Sequence, residues 1–357
     1  MSFRVLVPGK LILIGEYAVL EGADALVASV DRYVIVEISE SRDNIYRIFS
    51  DLTTVPLKFT LHKSGTCNPD QNQSVQTISA MRFIIAMVDG ICRRIYKLGF
   101  SVNPFELKID SSQFYREDKQ VKLGLGSSAA LTVALTVSIT KYLGIDNKLF
   151  LKKYDLFRFA HEVHFSAQGK RGSGIDIAAS VYGGINKFNI KSSDQVEFTE
   201  LISSVPVLQD LYLLTVWSGI PVSTQQLLLE VEKFRRQYRG EYKKLMLRLA
   251  TLSNKGCSLY AQKMTTDFLD IVGDYYEVLK TLSIKSKIRI ISDIHEKIAE
   301  IVNGSGGVYK PSGAGGGDIG IAFCASEKIL ENVKKELTSN NIETISLGIS
   351  TSDVVFG

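Results

Sequence analysis

The stretch Lys122–Ala130, KLGLGSSAA, constrains this chain more than any other. Gly124 and Gly126 open a turn, Ser127 and Ser128 stand where a helix would begin, and LTVALTVSITKYLG continues with helical spacing. A helix start leaves roughly four backbone N–H groups without internal partners, and its dipole favours negative charge. Glycines ahead of it let a ligand approach the bare backbone. The combination predicts a phosphate site. Taken alone, the same residues read equally as a chain break with Ser127 capping a core helix.

At 357 residues the chain can bury two sizeable cores. It is 45% hydrophobic and 22% charged, with net charge +4 and no long Lys/Arg run. That balance suits a small anionic substrate and argues against a nucleic-acid surface. The basic stretch Lys233–Lys244 reads as a solvated helix face. Cys67, Cys92, Cys257 and Cys324 form no C-x-x-C pair, so reduced thiols and a cytoplasmic setting are expected. The start, MSFRVLVPGKLILIGEY, reads as strand rather than as a signal peptide, and no apolar run reaches membrane-spanning length. No nucleic-acid or membrane partner is expected, and a homodimer is left open.

The order of elements predicts an α+β chain. Phe3–Val7, Leu11–Ile14 and Ala25–Ile38 read as strands, followed by Tyr46–Phe49 and Leu57–Leu61. Asn68–Gln76 reads as a polar loop, Val75–Leu98 as one helix, Phe105–Ile109 as a strand and Leu149–Gln168 as a helix. Gly169–Asp176, GKRGSGID, is a second Gly-rich turn. Strands Ile185–Ile190 and Leu211–Val216 precede a mostly helical region, Thr224–Ile301, with breaks near Gly240, Thr265 and Ser283–Lys287. The end reads as strand Ile319–Cys324, helix Glu327–Leu337 and strand Thr344–Leu347. A lobe boundary is expected near residues 185–210.

Four strings carry a resemblance: PGKLILIGEYAVLEG at 8–22, AHEVHFSAQGKRGSGIDIAASVYGG at 160–184, WSGIPVST at 217–224 and KPSGAGGGDIG at 310–320. With the 122–130 loop, they resemble the GHMP kinase superfamily in order and position along the whole chain. Within it they are most similar to the phosphomevalonate kinases. Mevalonate kinases carry a shorter H-G-x-P-S-G-x-D version of the second string. The resemblance implies a two-lobed GHMP kinase fold, with a lobe like domain 2 of ribosomal protein S5 over residues 1–190 and a ferredoxin-like lobe over 191–357. The active site would lie in the cleft between them. It implies phosphorylation of 5-phosphomevalonate by ATP, with Mg²⁺, in isoprenoid synthesis.

The same resemblance assigns residues. Lys122, Gly124, Leu125, Gly126, Ser127, Ser128 and Ala129 would hold the ATP phosphates, and Ser127 or Ser128 would touch the magnesium. Mevalonate kinases add a Glu before the catalytic turn; Glu162 and His164 lie near, but the local register departs. Asp176 takes the place of the catalytic Asp, although it also reads as a helix cap. Lys10 would neutralise the transferred group beside it. Tyr17, Ser173, Gly174, Gly315 and Gly316 would join Lys10 and Asp176 around the acceptor. Ser218, Gly219, Ser223 and Thr224 would add donors, and Trp217 would wall the pocket or pack in the core. His161 and His164, spaced i, i+3, have no carboxylate or thiol cluster to complete a zinc site.

A phosphorylated acceptor needs binding charge, which Lys170 and Arg171 could supply; the alternative for them is a solvated loop pair. A mevalonate kinase, a decarboxylase of the same family and a silent ligand-sensing regulator are the competing readings. The strings at 167–176 and 310–318 fit the decarboxylase less well, and intact Lys10, Ser127, Ser128 and Asp176 argue against the regulator. Replacing Arg171 with Ala should raise the apparent KM for the acceptor about tenfold, one lost charge-assisted contact, and leave that for ATP nearly unchanged. Steady-state kinetics with each substrate varied in turn checks this, and equal effects on both would count against the assignment.

Overall fold

A computed structural model of the chain describes residues 2–116, 121–169, 172–190 and 202–356. In chain order the elements open with strands β1 (Ser2–Ile14), β2 (Ala25–Glu40), β3 (Tyr46–Ser50), β4 (Thr53–Leu61) and β5 (Cys67–Pro69). Helices α1 (Val75–Ala80) and α2 (Arg82–Lys97), strand β6 (Phe105–Asp110) and helices α3 (Ser127–Tyr142), α4 (Asp146–Leu149), α5 (Lys153–Ala167) and α6 (Ile175–Tyr182) follow. Next come strands β7 (Ile185–Phe188), β8 (Ile202–Val205) and β9 (Tyr212–Trp217), then helices α7 (Thr224–Gln237), α8 (Arg239–Ala261), α9 (Thr265–Ser286) and α10 (Asp293–Gly304). The chain closes with β10 (Val308–Pro311), β11 (Ile319–Cys324), α11 (Glu327–Ser339), β12 (Thr344–Ile345) and β13 (Val355–Phe356).

The expected runs 3–7 and 11–14 are one strand. β1 pairs antiparallel with β2 from Ser2↔Ser39 to Ile14↔Leu26, with a register shift between Pro8 and Gly9. Pro8 brings no N–H to a ladder, and a bulge absorbs it while turning the following residues. The first sheet runs β13-β1-β2-β6-β3-β4-β5, and β7 and β8 extend it from β2. β2 is long enough to serve β6 with Ile35–Glu40 and β7 with Ala25–Ala28.

Helix α3 packs on β1 and β2 and against α5 and α6. Every residue from Ala129 to Thr140 is buried, as expected of a helix apolar all round. Three of its hydroxyls are satisfied locally, since Thr132, Thr136 and Thr140 each donate to the carbonyl four residues earlier, while the buried Ser138 hydroxyl has no partner among the described residues. The second sheet runs β10-β11-β9-β12, with α9 and α10 against β10 and α11 against β9 and β11.

The structure corrects three expectations. The predicted helix 75–98 breaks at Met81, which leaves helical geometry (φ −92°, ψ 5°) with its side chain fully buried. Residues 68–76 are not simply loop: β5 occupies 67–69, and Ser74 caps α1 by accepting from the Thr77 N–H. The helix predicted from Leu149 starts at Lys153, where the Lys152 N–H donates to Asp155. The last residues return to the first sheet, with Ile349 bridging Val30 and β13 pairing with Val5 and Leu6. Among the described residues no helix is long and apolar enough to cross a membrane.

His295 on α10 shows how the second core is held. Its Nε2–H donates to the Gly317 carbonyl at 3.1 Å, and its Nδ1 accepts from the Tyr309 hydroxyl at 2.8 Å. Burial pushes this imidazole down to about 4, so it folds neutral. An unfolded His binds a proton near pH 6.5, whereas this one does not until about 4. Stability is therefore full above pH 6.5 and falls as the pH drops towards 4, by as much as about 3 kcal/mol from this group. Urea unfolding at pH 7 and pH 5 should show the loss, and His295→Gln should flatten it.

Candidate active site

The Gly-rich segments converge on one cavity of about 300 Å³. Lys10, Glu16 and Tyr17 form one wall, Lys122 and Gly124–Ser128 the next, His161, His164, Gln168 and Gly172–Asp176 another, and Val222, Thr224, Gln225 and Gly313–Gly315 the last. Gly317 and Asp318 also line it.

The 122–130 loop is fixed from both sides. The Lys10 N–H donates to the Leu125 carbonyl at 2.9 Å, tying the loop to β1. Gly126 has φ +80°, and a Cβ there would lie 2.9 Å from Lys10 Cγ, so only glycine lets the lysine cross. Gly124, at φ +77°, has the same role towards Asp318, whose Cβ would be 2.7 Å from an added methyl. The Ala129 and Ala130 N–H groups take the Gly126 carbonyl. The amides of Ser127 and Ser128 have no backbone acceptor among the described residues. Amides without a backbone acceptor at a helix start are chemically suited to an anion.

Lys10 Nζ stands 3.7 Å from Asp176 Oδ1; the lysine is buried and the carboxylate about one third exposed. Asp176 sits in the first turn of α6, just beyond Gly174. Ser128 Oγ lies 3.2 Å from His164 Nε2 and 3.3 Å from the Gln168 amide nitrogen. Burial pushes His164 down to about 4. Its Nε2 is thus an acceptor at neutral pH, matching the Gln168 amide at 3.0 Å. His161, on the same wall, stacks on Phe157 with ring centroids 5.7 Å apart.

Tyr17 reaches across, its hydroxyl donating to the Ala314 carbonyl at 2.5 Å. Burial holds this phenol far above its usual range, so it stays a donor. Asp318 accepts from the Val222 N–H at 3.1 Å. Burial raises its carboxyl, while that bond and the charges of Lys10 and Lys122 pull the other way.

Some predicted residues lie elsewhere. Trp217 is buried away from the cavity with the Arg116 guanidinium 4.4 Å over its ring, so it packs rather than walls the pocket. Ser218 and Gly219 make the turn after β9, where the Ser218 hydroxyl bonds Ile220, and Ser223 caps α7. Of WSGIPVST only Val222 and Thr224 line the cavity. Ala129 is buried behind the loop, and Gly316 donates its N–H to the Ile290 carbonyl. Glu162 pairs with Arg94 outside the cavity. Lys170 and Arg171 lie outside the described residues. The sequence reading missed Gln168, although its i, i+4 spacing from His164 was available, and it gave Glu16 and Asp318 no role.

Bare amides at a helix start, facing a lysine–aspartate pair in one cleft, are the equipment of a phosphoryl-transfer site. The profile of the GHMP kinases N terminal domain matches residues 82–184. A phosphomevalonate kinase of Streptomyces sp. (strain CL190) is 26% identical over 345 residues, 90% of this chain and 89% of that enzyme. A mevalonate kinase of Pyrococcus horikoshii is 24% identical over 322 residues, 87% of this chain and 85% of that one. The solved Streptococcus pneumoniae phosphomevalonate kinase, in complex with phosphomevalonate and AMPPNP, has the same fold. Its TM-score is 0.75 over 98% of this chain and 99% of its own, at 21% identity. Residues 82–184 thus carry a GHMP kinases N terminal domain, a domain of ATP-dependent phosphotransferases, and the whole chain shares the fold of the solved phosphomevalonate kinase.

Gly126→Ala should weaken binding of a non-hydrolysable ATP analogue at least tenfold, because the left-handed residue is strained by about 1–2 kcal/mol and the methyl displaces Lys10. Isothermal titration checks this, and wild-type affinity would refute the role given to the loop.

Proposed function

We propose that this protein transfers the γ-phosphoryl group of ATP to 5-phosphomevalonate, giving 5-diphosphomevalonate and ADP. The observation that carries the reading is the Lys10–Asp176 pair, at 3.7 Å, in the same cavity as the Ser127 helix start. The QGKRGSG string at 168–174 and the relative alignable over nine tenths of the chain support the phosphorylated acceptor. A cytoplasmic enzyme fits the four free cysteines.

In this reading the amides of the 124–128 loop, with Lys122, bind the nucleotide phosphates. Ser127 and Ser128 present hydroxyl oxygens at the cavity. Among the described residues no cluster of three His, Cys, Asp or Glu could hold a metal. That donor set fits a magnesium ion arriving on the nucleotide, held by one hydroxyl and the phosphates; it supplies charge neutralisation. Tyr17, Ser173, Gly174, Thr224 and Gly315 surround the acceptor, and Lys170 and Arg171 grip its phosphate.

The acceptor decides what Asp176 does. A phosphomonoester has a second pKa of about 6 and is largely dianionic at pH 7. Its oxygen attacks the γ-phosphorus, the bond to the ADP oxygen breaks, and no proton has to be removed. Lys10 then carries the larger share, neutralising charge on the transferred group, and Asp176 orients Lys10. A hydroxyl acceptor, as in mevalonate, would instead need a base.

A coupled assay offering mevalonate and 5-phosphomevalonate in parallel tests both points. Turnover of the phosphorylated acceptor should dominate. Lys10→Met should lower kcat by about 100-fold or more, the usual cost of losing one transition-state donor. Asp176→Asn should cost clearly less. Preference for mevalonate, or a larger loss at Asp176, would favour the mevalonate kinase reading.

A further inference from the structure

Glu16 and Lys310 meet 294 positions apart in the chain, with Nζ to Oε1 at 2.5 Å. Both side chains are essentially fully buried, at 1% and 0% exposure. Glu16 lies two residues beyond β1 and Lys310 lies within β10 of the other sheet. The ammonium spends its remaining protons on the Pro311 carbonyl at 2.8 Å and the Ile12 carbonyl at 3.3 Å. Glu16 Oε1 also accepts from the Gly313 N–H at 3.4 Å. Around the pair, the Ser312 hydroxyl takes the Ile12 N–H at 2.9 Å.

A buried ion pair is a poor stabiliser, because desolvation offsets most of the attraction. This one is worse, since Glu16 Oε2 has no partner among the described residues. Two apolar side chains would hold the junction at lower cost. What they could not do is direct the Ile12 carbonyl and the Gly313 N–H at once. Those two groups flank Lys10: Ile12 is two residues along its strand, and a Cβ on Gly313 would be 3.7 Å from Lys10 Nζ. Lys10 also stands close enough to oppose the charge of Lys310, and Glu16 offsets that.

We propose that Glu16 and Lys310 form a positioning pair, which registers the Lys10 strand against the Ser312–Asp318 loop and so sets the Lys10 ammonium for phosphoryl transfer without touching either substrate. The proposal rests on the kinase reading above. The double variant Glu16→Leu/Lys310→Met removes both charges and should keep its fold. Its kcat should fall at least 30-fold while KM for ATP and acceptor stays within threefold. Glu16→Gln, which keeps an acceptor for Lys310, should lose at least tenfold in kcat with the same KM pattern.

Wild-type kcat in either folded variant would show the pair to be merely structural. Selective ¹³Cε-lysine labelling gives a readout that needs no turnover. The Lys10 signal, assigned by its loss in Lys10→Arg, should shift in both variants with a bound ATP analogue. An unmoved signal would overturn the proposal. A shifted signal in an enzyme that phosphorylates neither mevalonate nor 5-phosphomevalonate would uphold the positioning and sink the substrate reading.

Discussion

One backbone hydrogen bond, from the Lys10 amide to the Leu125 carbonyl, joins the sheet to the phosphate loop, and the site depends on it. It places the lysine side chain across Gly126, where any Cβ would collide with it. The bulge at Pro8 and Gly9 comes just before, so the strand can turn Lys10 towards the cavity and still complete its ladder with β2. Helix α3, buried on every side, cannot shift to relieve the contact. Strand, loop and helix are thus one rigid unit, and rigidity is what charge stabilisation at a transferring phosphoryl group requires.

Charge at and behind the cavity is arranged in opposed pairs. Lys10 faces Asp176, Lys310 faces Glu16, and the charges of Lys10 and Lys122 both act on Asp318. A buried ammonium without a counter-charge is costly, and each of these lysines has a carboxylate acting opposite it. The two nearby histidines contribute differently: burial pushes both below the usual imidazole range, and His164 hydrogen-bonds Ser128 and Gln168 while His161 stacks on Phe157.

Much of this was legible in the chain. Glycine spacing before a helical run marked the 122–130 loop, and order along the chain marked the superfamily, because both depend on local backbone chemistry. The partners of Glu16 and Asp318 were not legible. Glu16 meets Lys310 294 positions away and Asp318 meets Val222 96 positions away, and a buried carboxylate looks no different in sequence from an exposed one. Trp217 was ambiguous for the same reason, since an indole suits a pocket wall and a core alike. The helix break at Met81 carries no glycine or proline and left no local mark.

The return of residues 349–356 to the first sheet has a consequence for synthesis. β13 is the strand that closes the β1 edge, and it follows β1 only after all the other strands and helices of the fold. The β1 edge therefore stays open during synthesis until that downstream segment has been made. Until then β1 can find a wrong neighbour on another nascent chain.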